Sequence, residues 1–436
     1  MFLRIVHLVA LLGIIFGAGV TSGEGAISMR PSEHRGIERV REYLAQAQYA
    51  EAIDVLEPLL ERDTHHPLVD FYRGLIAQSR QDYAAAVPWF ERSVAGGPTL
   101  HAGWINLAQC RFQIQDYAAA AQAFTRSYAL SDPSEPLWRY NAALAWYQAG
   151  ELVRARELML QLLEDFPTAV ELQWRELLVH IYLHREGEQN HRLALAHVEI
   201  LAQQSSAAAQ RRWREYLIHL YLQLDMREKA EEFVAHLLEV EILEPRWWRI
   251  AAHLHLEAQR YADALVALQM VGFLAPGDMR EERLRADLCM QLGIPVQAIP
   301  YFTNLLENDV AEVQETKALL GLAQAYVQRH KPQEALRYLA QIDTTQESVP
   351  QLRLRAQILY MRKDYVQAHA AYAALARREQ QPRNSARAWL LAGYAAWNAG
   401  ELDAAQAALT HAEQEPEFSS QTKQLRRHLP ESGRTE

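Results

Sequence analysis

The chain has 436 residues, with 44 Lys and Arg against 54 Asp and Glu, and so carries a formal charge of −10. Half of it is hydrophobic, with only 19 Gly and 17 Pro, which excludes a disordered, collagen-like or low-complexity polymer. The acidic balance argues against nucleic acid as the main partner, and two cysteines exclude a disulfide scaffold or a four-cysteine zinc site.

Residues Met1 to Arg4 bring one positive charge, and sixteen residues from Ile5 to Val20 follow without one. A membrane span takes roughly 20 apolar residues, so this run is short for an anchor and has the length of a signal-peptide core. Small residues follow at Thr21-Ser22-Gly23, although no Ala-x-Ala site is present. Residues 1–25 are therefore expected to be an export signal, the alternative being a retained segment that tethers the protein to the inner membrane. A bacterial-style signal points to the periplasm, with a eukaryotic secretory route left open. No cysteine lies near the junction, which argues against a lipoprotein.

From residue 33 to 415 one unit recurs. Its register is set by Ala52, Ala86, Ala120, Ala155, Ala194, Ala230, Ala264, Ala298, Ala335, Ala368 and Ala405, spaced 33 to 39 residues apart. A large residue often sits three before each alanine (Tyr49, Tyr83, Tyr117, Tyr261, Tyr365) and another four after it (Leu56, Phe90, Phe124, Phe302, Leu409). Gly74, Ala108, Ala143, Ala252, Ala286, Ala323, Ala356 and Gly393 form a second series of small residues, preceded by Trp104, Trp138, Trp213, Trp248 and Trp389. Two helices packed about 8–10 Å apart need small side chains where their backbones come closest. Unit five departs from the pattern: Gly187-Glu188-Gln189-Asn190 predicts a longer loop between its two helices. Residues 416–436 form a polar tail that is expected to end in a short capping helix.

This register resembles the tetratricopeptide repeat, a helix–turn–helix unit of 34 residues. The resemblance implies an all-α fold, a right-handed superhelical α-solenoid of about eleven units, because one unit cannot bury its own apolar faces and must stack on its neighbours. It also implies a non-catalytic scaffold for protein–protein interaction, without cofactor, that holds a protein or extended peptide in its hollow side.

Chemistry-bearing residues point the same way. Cys110 and Cys289 lie five units apart, on the order of 50–100 Å at helix spacings of 8–10 Å, and are expected to be separate buried thiols. Seventeen histidines include His180 and His184 on one helix face, yet no zinc-ligand spacing such as His-Glu-x-x-His occurs. Phosphate loops and nucleophile elbows are also missing.

In the repeat family the hollow side is lined by positions 2, 5, 9, 12 and 13 of each first helix. Carried onto this chain, they give Phe71, Leu75, Ile105, Phe112, Tyr140, Leu144 and Tyr147 in units two to four. Units six to eight give Arg212, Glu215, His219, Arg246, Arg249, His253, Arg280, Arg283 and Asp287, followed by Arg353, Tyr394 and Trp397. Asn106 and Asn141 stand where family members hold a ligand's backbone, whereas the rest of the carboxylate clamp is replaced by Phe71 and Leu75. Five arginines on one stretch predict a groove for an acidic or carboxylate-bearing peptide, unless they pair with Glu and Asp of neighbouring helices.

Three phrases, Arg246-Trp247-Trp248-Arg249, Leu220 to Asp225 and Met290 to Pro295, look like exported repeat proteins that accompany TonB–ExbB–ExbD energy-transduction systems. That resemblance implies a periplasmic accessory of outer-membrane transport, with TonB or ExbD as partners. The alternative is a scaffold for envelope biogenesis, such as exopolysaccharide secretion or pilus assembly.

Overall fold

The computed structural model describes residues 29–62, 66–97, 100–131, 135–185, 187–308, 312–342 and 347–427. The expected export signal lies outside the described residues. The described chain is helical throughout, without strands, and divides into two compact units, one through Ala230 and one from Glu231.

In the N-terminal unit the helices are α1 (Pro31–Ala45), α2 (Tyr49–Leu60), α3 (Pro67–Ser79), α4 (Tyr83–Gly96), α5 (His101–Gln113) and α6 (Tyr117–Leu130). They continue with α7 (Leu137–Gln148), α8 (Leu152–Asp165), α9 (Leu172–Leu183), α10 (Glu188–Gln204) and α11 (Ala207–Gln223). The division falls inside α12 (Arg227–Val240). The C-terminal unit holds α13 (Pro245–Glu257), α14 (Tyr261–Leu274), α15 (Met279–Gln291), α16 (Pro295–Glu307) and α17 (Glu312–Gln328). After these come α18 (Pro332–Leu339), α19 (Val349–Met361), α20 (Tyr365–Arg378), α21 (Pro382–Ala399), α22 (Leu402–Ala412) and α23 (Ser419–Arg427). In chain order the first 22 of these helices make eleven pairs, and within each unit successive helices pack on one another as an α-solenoid.

Every one of the eleven register alanines lies in the second helix of its pair and is 0% exposed. The facing small residues are buried too, and the large residue four after the alanine fills the space they leave. A Cβ on Gly74 would stand 2.8 Å from the Phe90 ring, and one on Gly393 would stand 2.9 Å from Leu409 Cδ2. The tryptophan series needs correction. Trp247, not Trp248, is the fully buried one in its pair, and Trp174 fills the corresponding place on α9. Trp248 instead turns outward and donates from Nε1 to the Ile242 carbonyl at 2.8 Å.

The turns inside the pairs follow one device. The residue five before each alanine is left-handed, with φ between 55 and 81°, in ten of the eleven pairs. The next N–H then reaches back five residues, as Asp82 does to the Ala77 carbonyl at 3.0 Å and Glu401 to that of Ala396 at 2.9 Å. This is a Schellman-type stop that satisfies the orphan carbonyls of the first helix. Glycine supplies it at Gly150, Gly293 and Gly400, while seven other turns use residues that bear a Cβ. Pair five is the exception, in a way that differs from the predicted loop. Gly187, at φ 146°, caps α10; the connection 184–187 is one residue longer than the usual three, and Glu188-Gln189-Asn190, expected in the loop, extend the helix backward by a turn.

Two outcomes follow. A Cβ at Gly400 would meet no atom within 4 Å, so Gly400→Ala tests the backbone alone. It is expected to cost about 1 kcal/mol, seen as a lower urea midpoint at unchanged slope. Gly393→Leu overpacks the crossing and is expected to cost about 1–3 kcal/mol; adding Leu409→Ala should recover part of that loss in the same titration.

Candidate functional site

Helix register decides which of the expected groove residues reach solvent. Phe71, Leu75, Ile105 and Leu144 are core residues, not groove residues. Phe71 and Leu75 lie on α3, which packs against α1, α2, α4 and α5; Ile105 lies on α5, packed against α3, α4 and α6, and Leu144 on α7, packed against α6, α8 and α9. Phe71 sits between Tyr72 and Phe90, with ring centroids 5.5 and 5.8 Å away. Asn106 is likewise 0% exposed, and its amide donates to the Ala102 carbonyl of its own helix at 2.8 Å. It cannot hold a ligand's backbone from there. Asn141 is half-buried on α7, and Phe112 packs edge-on against Tyr117 at the turn of its own pair, 5.0 Å between centroids.

The arginine groove is also corrected. Arg212 belongs to the N-terminal unit, whereas Arg246, Arg249, Arg280, Arg283 and Arg353 belong to the C-terminal one. Arg249 pairs with Glu281 of α15 at 2.6 Å, Arg283 with Asp287 through contacts of 3.0 and 2.8 Å, and Arg353 with Glu379. Arg283 also lies over the Phe302 ring. His253 meets Glu257 at 3.1 Å. Arg246 and Arg280 are exposed at helix starts, where Glu244 and Asp278 accept their backbone N–H groups. Neighbouring carboxylates thus take up the charge of Arg249, Arg283 and Arg353, three of the arginines that were to draw an acidic ligand.

What the N-terminal unit does bring together is a wall of rings on three successive first helices. On α7, Tyr140 and Tyr147 are half-buried, and Tyr147 meets His184, at the C-cap of α9, edge-on at 6.2 Å. On α9, Glu176 and His180 stand one turn apart. Trp213 of α11 donates from Nε1 to Glu176 at 3.3 Å, and its ring lies 6.3 Å from that of His180. Tyr216 and then the exposed His219 continue the series along α11 at centroid spacings of 6.3 Å. Burial, then the carboxylates of Glu176 and Glu171, push the Tyr140 phenol up to about 12. Burial lowers His180, against an opposing pull from Glu176, so the ring is held neutral.

Sequence reasoning placed Tyr140, Tyr147 and His219 here but missed Glu176, His180, Trp213 and Tyr216 as members of one face. Trp174, the counterpart of Trp138 and Trp213, carries the signal that would have found them: it sets the register of α9 despite the extra turn of α10. The two cysteines are buried free thiols, one in each unit, and burial pushes Cys110 up to about 12 and raises Cys289. Among the described residues no group of three or more His, Cys, Asp or Glu is placed to hold a metal, and no helix is long and apolar enough to cross a membrane.

Residues 37–101, 105–170 and 386–414 match family profiles described as tetratricopeptide repeat. No curated protein sequence matches the chain. Solved structures similar to it include the Cut9–Hcn1 hetero-tetramer of the APC/C, at 15% identity and TM-score 0.31 over 88% of this chain and 87% of that one. A tetratricopeptide repeat protein from Parabacteroides merdae is similar at 16% identity and TM-score 0.31, over 66% and 95%. PilW, a type IV pilus biogenesis factor, is similar at 16% and 0.35, over 49% and 96%. Likenesses this distant carry no argument about function.

The neutral histidine gives a pH dependence with a definite sign. The pKa of His180 is lower in the folded chain than its ordinary 6.5, so the unfolded state takes up a proton first. Its stabilising effect is complete above 6.5 and is lost as pH falls through the lowered folded value. His101 and His197, also lowered chiefly by burial, act in the same direction. Chemical denaturation should therefore give falling stability on acidification, with a shallower fall in His180→Gln.

Proposed function

We propose that this chain, which carries tetratricopeptide repeats at residues 37–101, 105–170 and 386–414, is a non-catalytic scaffold that holds an extended protein segment. The supporting observation is the ring wall of α7, α9 and α11, where tyrosine, histidine and tryptophan side chains remain half-buried instead of closing into the core. Rings of this kind give large contact area at low cost in side-chain entropy, and grooves lined by them suit extended segments.

The finer reading adds export to the periplasm and a place beside a TonB–ExbB–ExbD system. It rests on the apolar segment Ile5 to Val20 and on the three central phrases. Trp247, Leu220, Tyr221 and Cys289, within or beside those phrases, are core residues, so much of each phrase is explained by packing. Export itself is tested by fractionating cells that express the full chain.

A photo-crosslinking residue at position 147 or 216, followed by mass spectrometry, tests partner and site together. Capture of TonB or ExbD from those positions is expected, with little from the outer position 157. Capture of pilus or polysaccharide-export components would move the protein to envelope biogenesis, and equal capture from all three positions would refute use of the inner face.

A further inference from the structure

The sign of charge along the ring wall selects a ligand class. The arginines of α7, α9 and α11 mostly turn away toward the second helices. Arg139 pairs with Asp165 of α8 and lies 4.3 Å over the Tyr128 ring of α6. Arg175 meets His197 of α10 at 3.4 Å, and Arg214 donates to the Ala202 carbonyl of α10 at 3.3 Å. Arg211 and Arg212, early in α11, are the exposed arginines of these three helices. Carboxylates remain on the inner side. Glu171 stands at the N-cap position of α9, its carboxylate accepting from the Gln173 side-chain amide, and Glu176 lies among Tyr140, His180 and Trp213.

A carboxylate offers about four acceptor sites in general, and Trp213 occupies one of those on Glu176. Tyrosine and tryptophan faces attract a cation through the ring quadrupole, and a partly desolvated carboxylate bonds it with charge assistance. The tyrosine phenol of the wall is un-ionised at neutral pH, and its central histidine carries no positive charge to oppose a cation.

We propose that this face binds an arginine- or lysine-bearing extended segment of a partner protein, seating a cationic side chain against Trp213 and Tyr140 with its charge on Glu176 and Glu171. This rests on the peptide-holding reading above and gives it a sign opposite to the one the sequence predicted. Arginine is the better fit, because its planar guanidinium stacks on a ring while its edge bonds a carboxylate.

The test uses the purified full chain and length-matched fluorescent peptides that carry arginine, glutamate or glutamine at the same positions. Anisotropy should show the arginine peptide binding at least about tenfold tighter than either other peptide, with affinity falling as salt rises. Glu176→Gln should remove at least about tenfold of that affinity and Trp213→Leu a similar share, whereas Glu157→Gln on the outer side of α8 should change nothing. Far-ultraviolet melts of each variant establish that it is folded, and Trp213→Phe, which keeps a ring, should bind better than Trp213→Leu.

Equal binding of all three peptides, still crosslinking at position 147 or 216, would overturn the charge assignment while leaving peptide holding intact. Failure of every peptide to crosslink there would bring down both. Spermidine competing as well as the arginine peptide would reassign the face to small polycations and also overturn the proposal.

Discussion

Everything in this protein depends on how closely two helices of a pair can approach. Every pair carries an alanine without any exposed surface, in eight of the eleven a small residue of the first helix lies opposite, and a bulky side chain one turn on plugs the space beside it. Alanine allows that approach and still favours helix, whereas glycine at every such site would weaken both partners. The contact fixes the angle within a pair. The left-handed turn residue, five before the alanine, then fixes where the second helix begins, three before it. With both constraints repeated, the first helices of successive pairs come to lie side by side, which is the condition for three of them to share one wall of rings.

The pairs were legible in the sequence because both constraints leave a mark at fixed offset from the alanine. The inner face was not, since its positions follow from a family average that assumes each first helix is open on one side. Around α3 that assumption fails: Asp70 and Gln78 are buried along with Phe71, and Gln78 donates to Gln109 of α5 at 3.3 Å. Position 71 is therefore a packing position here. In pair five the added residues hid the register in the opposite way. They add a turn at the start of the second helix, so counting back from Ala194 misplaces the first helix, and Glu176 and His180 drop out of the expected face.

Charge was the least legible property, because a sequence reveals which helix carries an arginine but not which neighbour receives it. Arg285 shows how far this goes. It is 3% exposed, donates to the Leu268 carbonyl at 2.8 Å, pairs with Glu282 at 2.8 Å and lies over the Tyr301 ring. Its guanidinium fits only because Gly272 has no Cβ; one built there would stand 2.0 Å from Nη1. A buried charge of this kind is costly unless fully paired, and the helix pairs supply carbonyls, carboxylates and rings at fixed places. Three arginines of the C-terminal unit that looked like a ligand surface, Arg249, Arg283 and Arg353, are tied at the surface to Glu281, Asp287 and Glu379.

The two units thus use the same repeat to different electrostatic ends. In the C-terminal unit, carboxylates one turn away or on a neighbouring element pair with Arg249, Arg283 and Arg353 of the first helices. In the N-terminal unit the corresponding pairs form on the second-helix side, through Asp165, His197 and the Ala202 carbonyl. That placement strips the inner side of α7 and α9 of basic groups and leaves Glu171 and Glu176 beside polarisable rings. A surface with that composition has little to offer an anion, whose charge would face carboxylates across a partly dry wall where screening is weak. For a cation the same lack of screening works in its favour, and the rings that exclude water are also the groups that attract it.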